Sequence, residues 1–252
     1  MNVDERVVFI FAHQDDEFGI FSLIEEAVRE TSEVWCVYLT DGGEKHVQRE
    51  KESRNVLSRL GVRPENIRFL GSAIGIADGS LIDNLTAGYK ALADFLEGSR
   101  KQTRMYLPAW EGGHTDHDAA HALGVVYTAR SEASISCWQY SLYHKHQCVK
   151  PFFRVMSPLF DNGAVACHPL NWRQRVKFVL LCLKYPSQFK SWVGLLPFVA
   201  CHYLLVGKQF TQPVAVLRLS QRPHEGQLYY EYRGSLDWNH VNNKTAALIN
   251  GD

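Results

Sequence analysis

The 252-residue sequence predicts an α/β fold with a mainly parallel sheet flanked by helices. Two observations support this prediction. Strand-like apolar runs alternate with helix-like segments over the first 130 residues, and the main polar clusters follow directly after strands. The length and the 46% hydrophobic content are those of one globular unit. We therefore expect a single domain over residues 1–252, with a core of about 5–145 and a C-terminal α/β extension of about 146–252.

The strands and helices of the first half follow from apolar periodicity. Strands are predicted over four short apolar runs, 7–12, 34–40, 67–71 and 105–108. A helical stripe is formed by Ile20, Leu23, Ile24, Ala27 and Val28. Further helices are expected over 45–60, which ends at Gly61, over 84–96 with Asn84 as a candidate cap, and over 116–129.

The second half is less regular. Strands are expected over 134–143, 214–219 and 228–232, and a helix over 172–183. A long apolar stretch covers 177–207, but lysines interrupt it, and its second run of about fifteen residues contains Pro197 and is short for a membrane span. Buried helices are one interpretation. The other is a membrane-surface patch over about 185–206, in which Trp192, Phe198 and Tyr203 lie at an interface flanked by lysines.

Composition narrows the function. Lys plus Arg equals Asp plus Glu, so the formal net charge is zero, and this balance argues against nucleic acid as the main ligand. The six cysteines form no CxxC pair and are expected to be reduced, mostly buried thiols. The acidic N-terminal segment, which starts MNVDERVVF, is not expected to be a signal peptide. We therefore expect a cytoplasmic protein, with peripheral contact to the inner membrane face as an extension of that expectation.

Three polar loops follow predicted strands. AHQDDE (12–17) follows the first, TDGGE (40–44) the second and AWEGGHTDH (109–117) the fourth. Because ligands gather beyond the carboxyl ends of parallel strands, we expect these loops to meet at one edge of the sheet.

The residue types in these loops are those of a catalytic metal site. His13 and Asp16 are three apart in one loop, and His117 could add a third ligand from another. Two imidazoles and one carboxylate leave a coordination position open for water, as catalytic zinc sites do. The spare carboxylate of Asp15 would then be a general base, and His114 would polarise a carbonyl oxygen or protonate a leaving amine. Asp116 could fix the tautomer of His114 and keep it charged.

Structural roles compete with these assignments. Asp15 and Asp16 could cap the following helix, and Asp116 could cap the helix that follows it. His121 lies four residues after His117 and is either an alternative ligand, a residue that supports a ligand, or a packed side chain.

At these residues the sequence resembles the PIG-L/LmbE family of zinc-dependent N-deacetylases, whose signature is AHPDDE followed by HxDH. Here the motifs read AHQDDE and HTDH. Weaker matches are TDGGE with an Arg49/Glu52 pair and Leu60-Gly61, DGSL (78–81), and Lys177 with Ser187-Gln188. The matches cover roughly residues 5–190 in the family's order. Gln14 replaces the signature proline, and we expect this to alter only the geometry of the loop.

The resemblance implies a Rossmann-like fold and a reaction. Zinc would be bound at His13, Asp16 and His117, with Asp15 as base, His114 as oxyanion stabiliser or acid, and Asp116 supporting His114. Fe²⁺ or Co²⁺ are open alternatives to Zn²⁺, because affinity order and supply both matter. The implied substrate is an N-acetylated amino sugar. The aromatic and apolar residues of about 185–206 favour a sugar that is lipid-linked or part of an envelope glycan precursor.

Three further residues are substrate-binding candidates. Arg49 and Asp78 are expected near the sugar. The alternative for Arg49 is that it lies on a polar helix face exposed to solvent. Trp110 is expected either to stack on a sugar ring or to be an ordinary packed tryptophan. A metal-dependent hydrolase of another amide or ester, and a non-catalytic sugar-binding protein, remain as alternatives.

Overall fold

The computed structural model describes residues 5–31, 33–98, 101–149 and 152–251. Residues 1–4, on which part of the signal-peptide expectation rests, lie outside this description. Within it, seven strands form one sheet in the order β3-β2-β1-β4-β5-β9-β8, and β6 pairs with β7 in a separate ribbon. The strands are β1 Glu5–Phe11, β2 Glu33–Tyr38, β3 Ile67–Phe69, β4 Gln102–Pro108, β5 Ile135–Tyr140, β6 Tyr143–His144, β7 Arg154–Val155, β8 Ala166–Pro169 and β9 Lys208–Pro213.

The first five strands of the sheet run parallel, and β9 and β8 join its edge in antiparallel order. The apolar run of β1 is buried on both faces. Val7, Phe9 and Phe11 pack into one core cluster, whereas Val8 and Ile10 pack into the cluster on the other face. A continuous apolar run is therefore what this central parallel strand requires.

Helices cover both faces of the sheet. They are α1 Phe21–Glu30, α2 His46–Arg59, α3 Leu70–Ile74, α4 Leu85–Leu96, α5 Thr115–Arg130, α6 Trp172–Cys182, α7 Phe189–Cys201, α8 Tyr229–Arg233 and α9 Trp238–Asn250. The α/β class with a mostly parallel sheet is thus confirmed. Gly61 follows α2 with a φ of 93°, which is the left-handed conformation that a glycine after a helix supplies.

Two predicted strands are wrong. Residues 214–219 contain the start of a 3₁₀ helix, Val216–Ser220, and the strand lies earlier, as β9. Residues 228–232 fall mainly in α8, where the Glu231 side chain accepts a hydrogen bond from Leu228 N at 2.9 Å and Gly234 ends the helix with a φ of 71°. Short apolar runs fit either structure by periodicity, and the capping contacts decide here for helix.

The apolar stretch of the second half forms one continuous helical segment. Residues Pro186–Val206 extend over 21 residues with a mean hydropathy of 1.4, long and apolar enough to cross a membrane by length and composition alone. Only 22% of its most apolar window is buried, so the interpretation as buried helices is wrong for most of it. The prediction that Trp192 and Tyr203 lie at a membrane surface is also wrong, because both side chains are buried.

The cysteines are free thiols, as expected, but they are not mostly buried. Cys36 and Cys182 are buried, Cys137 and Cys148 are partly buried, and Cys167 and Cys201 are exposed.

Candidate active site

The structure brings His13, Asp16 and His117 together at the carboxyl edge of β1 and β4. His13 follows β1, Asp16 opens a 3₁₀ turn (Asp16–Gly19), and His117 lies in the first turn of α5. His13 Nδ1 is 3.3 Å from His117 Nε2, and His117 Nε2 is 3.1 Å from Asp16 Oδ1. His13 Nδ1 and Asp16 Oδ2 are 3.6 Å apart. All three side chains are buried, so their positions are fixed by packing.

This triangle has the size that a tetrahedral metal site requires. Zinc–ligand distances of about 2.0–2.2 Å with tetrahedral angles place neighbouring ligand atoms about 3.3–3.5 Å apart. The donor set of two imidazoles and a carboxylate is that of a catalytic divalent-metal site. The three residues therefore fit a divalent cation.

Carboxylates around His13 strengthen the fit. Its Nε2 is 3.0 Å from Asp116 Oδ2 and 3.3 Å from Asp78 Oδ1, so Nδ1 is left to face His117 and Asp16. Burial opposes a charged imidazole, but the negative charges of Asp78, Asp116 and Asp16 outweigh it and hold the pKa of His13 well above its usual value. An environment that favours a proton on this ring also favours a metal cation beside it.

Asp15 lies beside this triangle in a strained backbone conformation. Its φ is 117°, in the left-handed region, and its main-chain N donates to Glu17 Oε2 at 2.8 Å. Burial, together with the charges of Asp16 and Glu17, raises the pKa of the Asp15 carboxyl well above its usual value, and the positive charge of Arg49 opposes this shift. A partly exposed carboxyl with a raised pKa beside a cation site has the properties of a general base.

Arg49 is buried and holds this loop together. Its Nη1 donates to Gly42 O at 2.8 Å and to Asp78 Oδ2 at 2.7 Å, and its Nη2 donates to Gln14 O at 3.0 Å. Nη2 also lies 3.5 Å from Asp15 Oδ1. Arg49 thus contacts both Asp15 and Asp78 and does not lie on a solvated helix face.

The burial of Arg49 follows from a stripe of buried positions on α2. Its buried positions are Arg49, Glu52, Ser53, Val56 and Leu57, which follow helical spacing but change from polar to apolar along the helix. Ser187, in the 3₁₀ turn before α7, donates to Glu52 through its main-chain N at 3.1 Å. The weaker motif pairs named above are therefore neighbours in space, whereas Lys177 contacts Glu25 and the Arg59 carbonyl instead.

His114 caps α5 and is neutral. Its Nδ1 accepts a hydrogen bond from Asp116 N at 3.1 Å, which places the ring proton on Nε2. Burial and the nearby His13 lower the pKa of His114 to about 4. His114 therefore offers a neutral N–H donor, as an oxyanion stabiliser needs.

Asp116 differs from expectation. It fixes the tautomer of His114 through its main-chain N–H and does not keep the ring charged. Its carboxylate contacts His13 and accepts hydrogen bonds from Gly79 N at 2.6 Å and Leu81 N at 3.0 Å. Asp116 thus supports a candidate metal ligand and holds the 78–81 loop against the site.

Asp78 lies at the site, as expected, but two other residues do not. Trp110 is fully buried and donates through Nε1 to Gln221 O at 2.9 Å, so it is not available to stack on a sugar. His121 is buried beside Trp110, and its Nδ1 lies 2.8 Å from Pro108 O. Its ring therefore belongs to the core and is not placed as a metal ligand.

A cavity of 410 Å³ opens beside His114. Its wall includes Tyr143, Phe153, Tyr229, Lys190 and Arg233 from the C-terminal half of the chain. The sequence carries no signal for this role, because the five residues are distant along the chain and belong to no motif. Aromatic faces and two cations around a cavity of this size suit a small polar ligand with apolar ring faces.

A buried carboxyl supports one of these walls. Glu111 accepts hydrogen bonds from Leu142 N at 2.7 Å and Tyr143 N at 2.8 Å. Burial raises the pKa of Glu111 to about 7. Tyr143, whose ring lies 5.3 Å from that of His117, is thereby fixed between the cavity and the metal triangle.

The family model described as PIG-L, GlcNAc-PI de-N-acetylase, matches residues 8–128, which contain both motifs and all the residues of the triangle. Residues 8–128 are a PIG-L family domain. No curated protein matches the chain.

Solved structures share the fold of this chain. A deacetylase of the teicoplanin biosynthesis pathway superposes with a TM-score of 0.62 at 15% identity, covering 83% of this chain and 98% of that one. The zinc-inhibited form of teicoplanin deacetylase gives 0.58 at 14% identity with the same coverage. N,N'-diacetylchitobiose deacetylase from Pyrococcus horikoshii gives 0.51 at 17% identity, covering 89% and 88%. At these identities the likeness establishes the fold.

Proposed function

We propose that this PIG-L protein is a metal-dependent hydrolase that removes the N-acetyl group from an N-acetylated amino sugar. The observation that carries the proposal is the buried triangle of His13, Asp16 and His117 with the Asp15 carboxyl, held by Arg49, beside it. The PIG-L domain supports the reaction type, and the similar structures include a deacetylase of teicoplanin biosynthesis and an N,N'-diacetylchitobiose deacetylase.

The residues of the site divide the chemistry among them. A divalent cation held by His13, Asp16 and His117, most simply zinc, would polarise the amide carbonyl and acidify a water. Asp15 accepts the proton of the attacking water, since its raised pKa makes it a better base near neutral pH than an ordinary aspartate. His114 donates a hydrogen bond from Nε2 to the oxygen that becomes negative in the transition state.

The remaining groups orient these three. Arg49 holds the Asp15 loop, and its charge keeps the base from binding a proton too tightly. The Asp116 carboxylate holds His13, and its main-chain N–H holds His114. Asp15 then passes this proton to the amide nitrogen as the C–N bond breaks, so that acetate and a free amino sugar are released.

The cavity indicates where the sugar binds. Tyr143, Phe153 and Tyr229 offer aromatic faces for the ring, and Lys190 and Arg233 offer donors for hydroxyl or phosphate oxygens.

The test has two steps. The purified protein is first analysed for bound metal, and acetate release is then measured on N-acetylhexosamine glycosides and on an N-acyl amino acid. The proposal expects about one divalent ion per chain, bound as in a single site, and release from the glycosides. Metal binding with release from the acyl amino acid alone would instead assign the chain to another class of amide hydrolase.

A further inference from the structure

Helices α6 and α7 present an apolar surface to solvent, here called the outer face. On α6 it consists of Trp172, Val176, Leu180 and Leu183, and on α7 and its continuation of Phe189, Val193, Leu205 and Val206. The spacing on α6 is i, i+4, i+8, i+11, which is one side of a helix. Trp172 is 65% exposed, Phe189 69% and Leu205 78%. An exposed apolar surface of this extent marks a binding site.

The two helices hold these residues side by side. Arg175 Nη1 of α6 donates to Leu204 O at 3.1 Å, and its guanidinium lies 4.8 Å above the Trp172 ring. The opposite side of α7 is anchored in the core, where Trp192 packs on Phe18 and Tyr203 donates to the Phe18 carbonyl. This anchoring rules out a spanning role for the helix in this fold, because spanning would extract core residues.

The segment of the chain that carries the outer face contains basic residues and no acidic ones. From residue 162 to residue 224 the sequence contains eight Lys and Arg and no Asp or Glu, although the whole chain has 27 of each class. Arg173, Lys184 and Arg59 line the groove along α6 together with its apolar stripe, and Lys190 follows Phe189 on α7. Exposed apolar side chains bordered by cations fit the headgroup region of an anionic bilayer.

We infer that the outer face of α6 and α7 is a docking surface for an anionic lipid bilayer. A second copy of the chain fits less well, because a two-fold contact would oppose two cationic surfaces with no carboxylate from this segment to neutralise them. The neighbours of Phe189 and Val193 along α7, which are Lys190, Ser191, Gly194 and Leu195, line the cavity. Docking would therefore place the cavity beside the lipid headgroups. If the proposed deacetylase function holds, a lipid-linked amino sugar could enter the cavity from the bilayer.

The test is co-sedimentation of the full chain with vesicles of phosphatidylcholine alone and of phosphatidylcholine mixed with phosphatidylglycerol. We expect binding to the mixed vesicles only. The double variant Phe189→Ser/Val193→Ser should weaken this binding about tenfold or more, because interfacial affinity scales with the apolar area inserted. Arg173→Glu/Lys184→Glu should weaken it by a similar factor of about ten, since anionic lipids attract basic residues near the surface.

Leu217→Ser is the matched control. Leu217 is 81% exposed, but it lies in the 3₁₀ helix Val216–Ser220, which packs against the other face of the sheet through Leu219. Its loss should leave vesicle binding unchanged. Absence of wild-type binding to the mixed vesicles, or an equal loss in Leu217→Ser, would overturn the inference. Conversion of a wild-type dimer to a monomer by the outer-face variants, without any vesicle binding, would assign the surface to a second copy and overturn it too.

Two readouts separate this inference from the proposed function. Acetate release from a soluble N-acetylhexosamine glycoside should be retained in Phe189→Ser/Val193→Ser, and vesicle binding should be retained in Asp15→Asn. If the wild-type protein binds the mixed vesicles but releases no acetate from any of the glycosides, only the proposed function is contradicted.

Discussion

The metal triangle and the outer face of α6 and α7 hold charge in opposite ways. At the triangle, the side chains of His13, Asp16 and His117 are buried, and each lies within hydrogen-bond distance of a neighbouring imidazole or carboxylate. On the outer face, the basic side chains Arg173, Lys184 and Lys190 are exposed to solvent. Buried charge depends on exact partners, whereas exposed charge acts collectively. Single substitutions should therefore abolish function at the triangle and only weaken it at the outer face.

The largest effect should come from a ligand of the triangle. His117→Ala should lose the bound metal and lower kcat/KM on the order of 10³-fold or more, because a Lewis acid supplies several kcal/mol of transition-state stabilisation. His121→Asn, four residues along the same helix, should retain the metal, since His121 faces Pro108. Metal analysis and acetate release measure both. Full metal content in His117→Ala would break the assignment.

Asp15→Asn should leave metal binding intact and lower kcat about 10²- to 10⁴-fold, which is the range for loss of a general base. The matched control is Asp83→Asn, which removes an exposed carboxylate bound to His240 and Lys244. Turnover by Asp15→Asn within a few-fold of the wild type would show that another group takes the proton.

The contrast between buried and exposed groups also extends to stability in acid. Burial lowers the pKa of His121 to about 4, from about 6.5 in the unfolded chain. Between these values the unfolded state binds more protons, so the free energy of unfolding falls as pH decreases from about 6.5 to 4. The contribution lost by pH 5 is about 2 kcal/mol. His121→Asn should lack this component in denaturant titrations compared at pH 7 and pH 5, and an identical acid dependence would contradict it.

A smaller effect is expected for the residue that orients the base. Arg49→Met should lower kcat/KM about tenfold near neutral pH, because loss of the positive charge raises the pKa of Asp15 further. The acid limb of the pH profile should move to higher pH. Arg49→Lys keeps the positive charge. Its acid limb should therefore lie near that of the wild type, although its kcat/KM should remain lower than that of the wild type. An unchanged limb in Arg49→Met would mean that Arg49 acts only on packing.

The sequence was sufficient to predict that the loops at the strand ends meet and that His13, Asp16 and His117 form a triangle. Parallel strands bring their carboxyl ends to one edge, so AHQDDE and HTDH had to meet once β1 and β4 were recognised as neighbours. The main-chain bonding of Asp116 and the burial of Trp110 depend on loop conformation and on packing from residue 221. No local spacing reports either of them.

The burial of Arg49 has a signal in the sequence. The stripe of Arg49, Glu52, Ser53, Val56 and Leu57 keeps helical spacing through its polar half, which a search for apolar residues alone overlooks. The cavity wall from Tyr143 and Tyr229 had no comparable signal, because short aromatic segments fit strand and helix equally and only tertiary contacts decide between them.

The left-handed backbone at Asp15 has a consequence for the evolution of this chain. Glycine would adopt a φ of 117° without steric conflict, and replacing aspartate there should raise stability by about 1 kcal/mol. The same change removes the proposed base. A library selected only for heat resistance would therefore accumulate glycine at position 15 and lose activity. Retention of aspartate there would measure how strongly catalysis is selected.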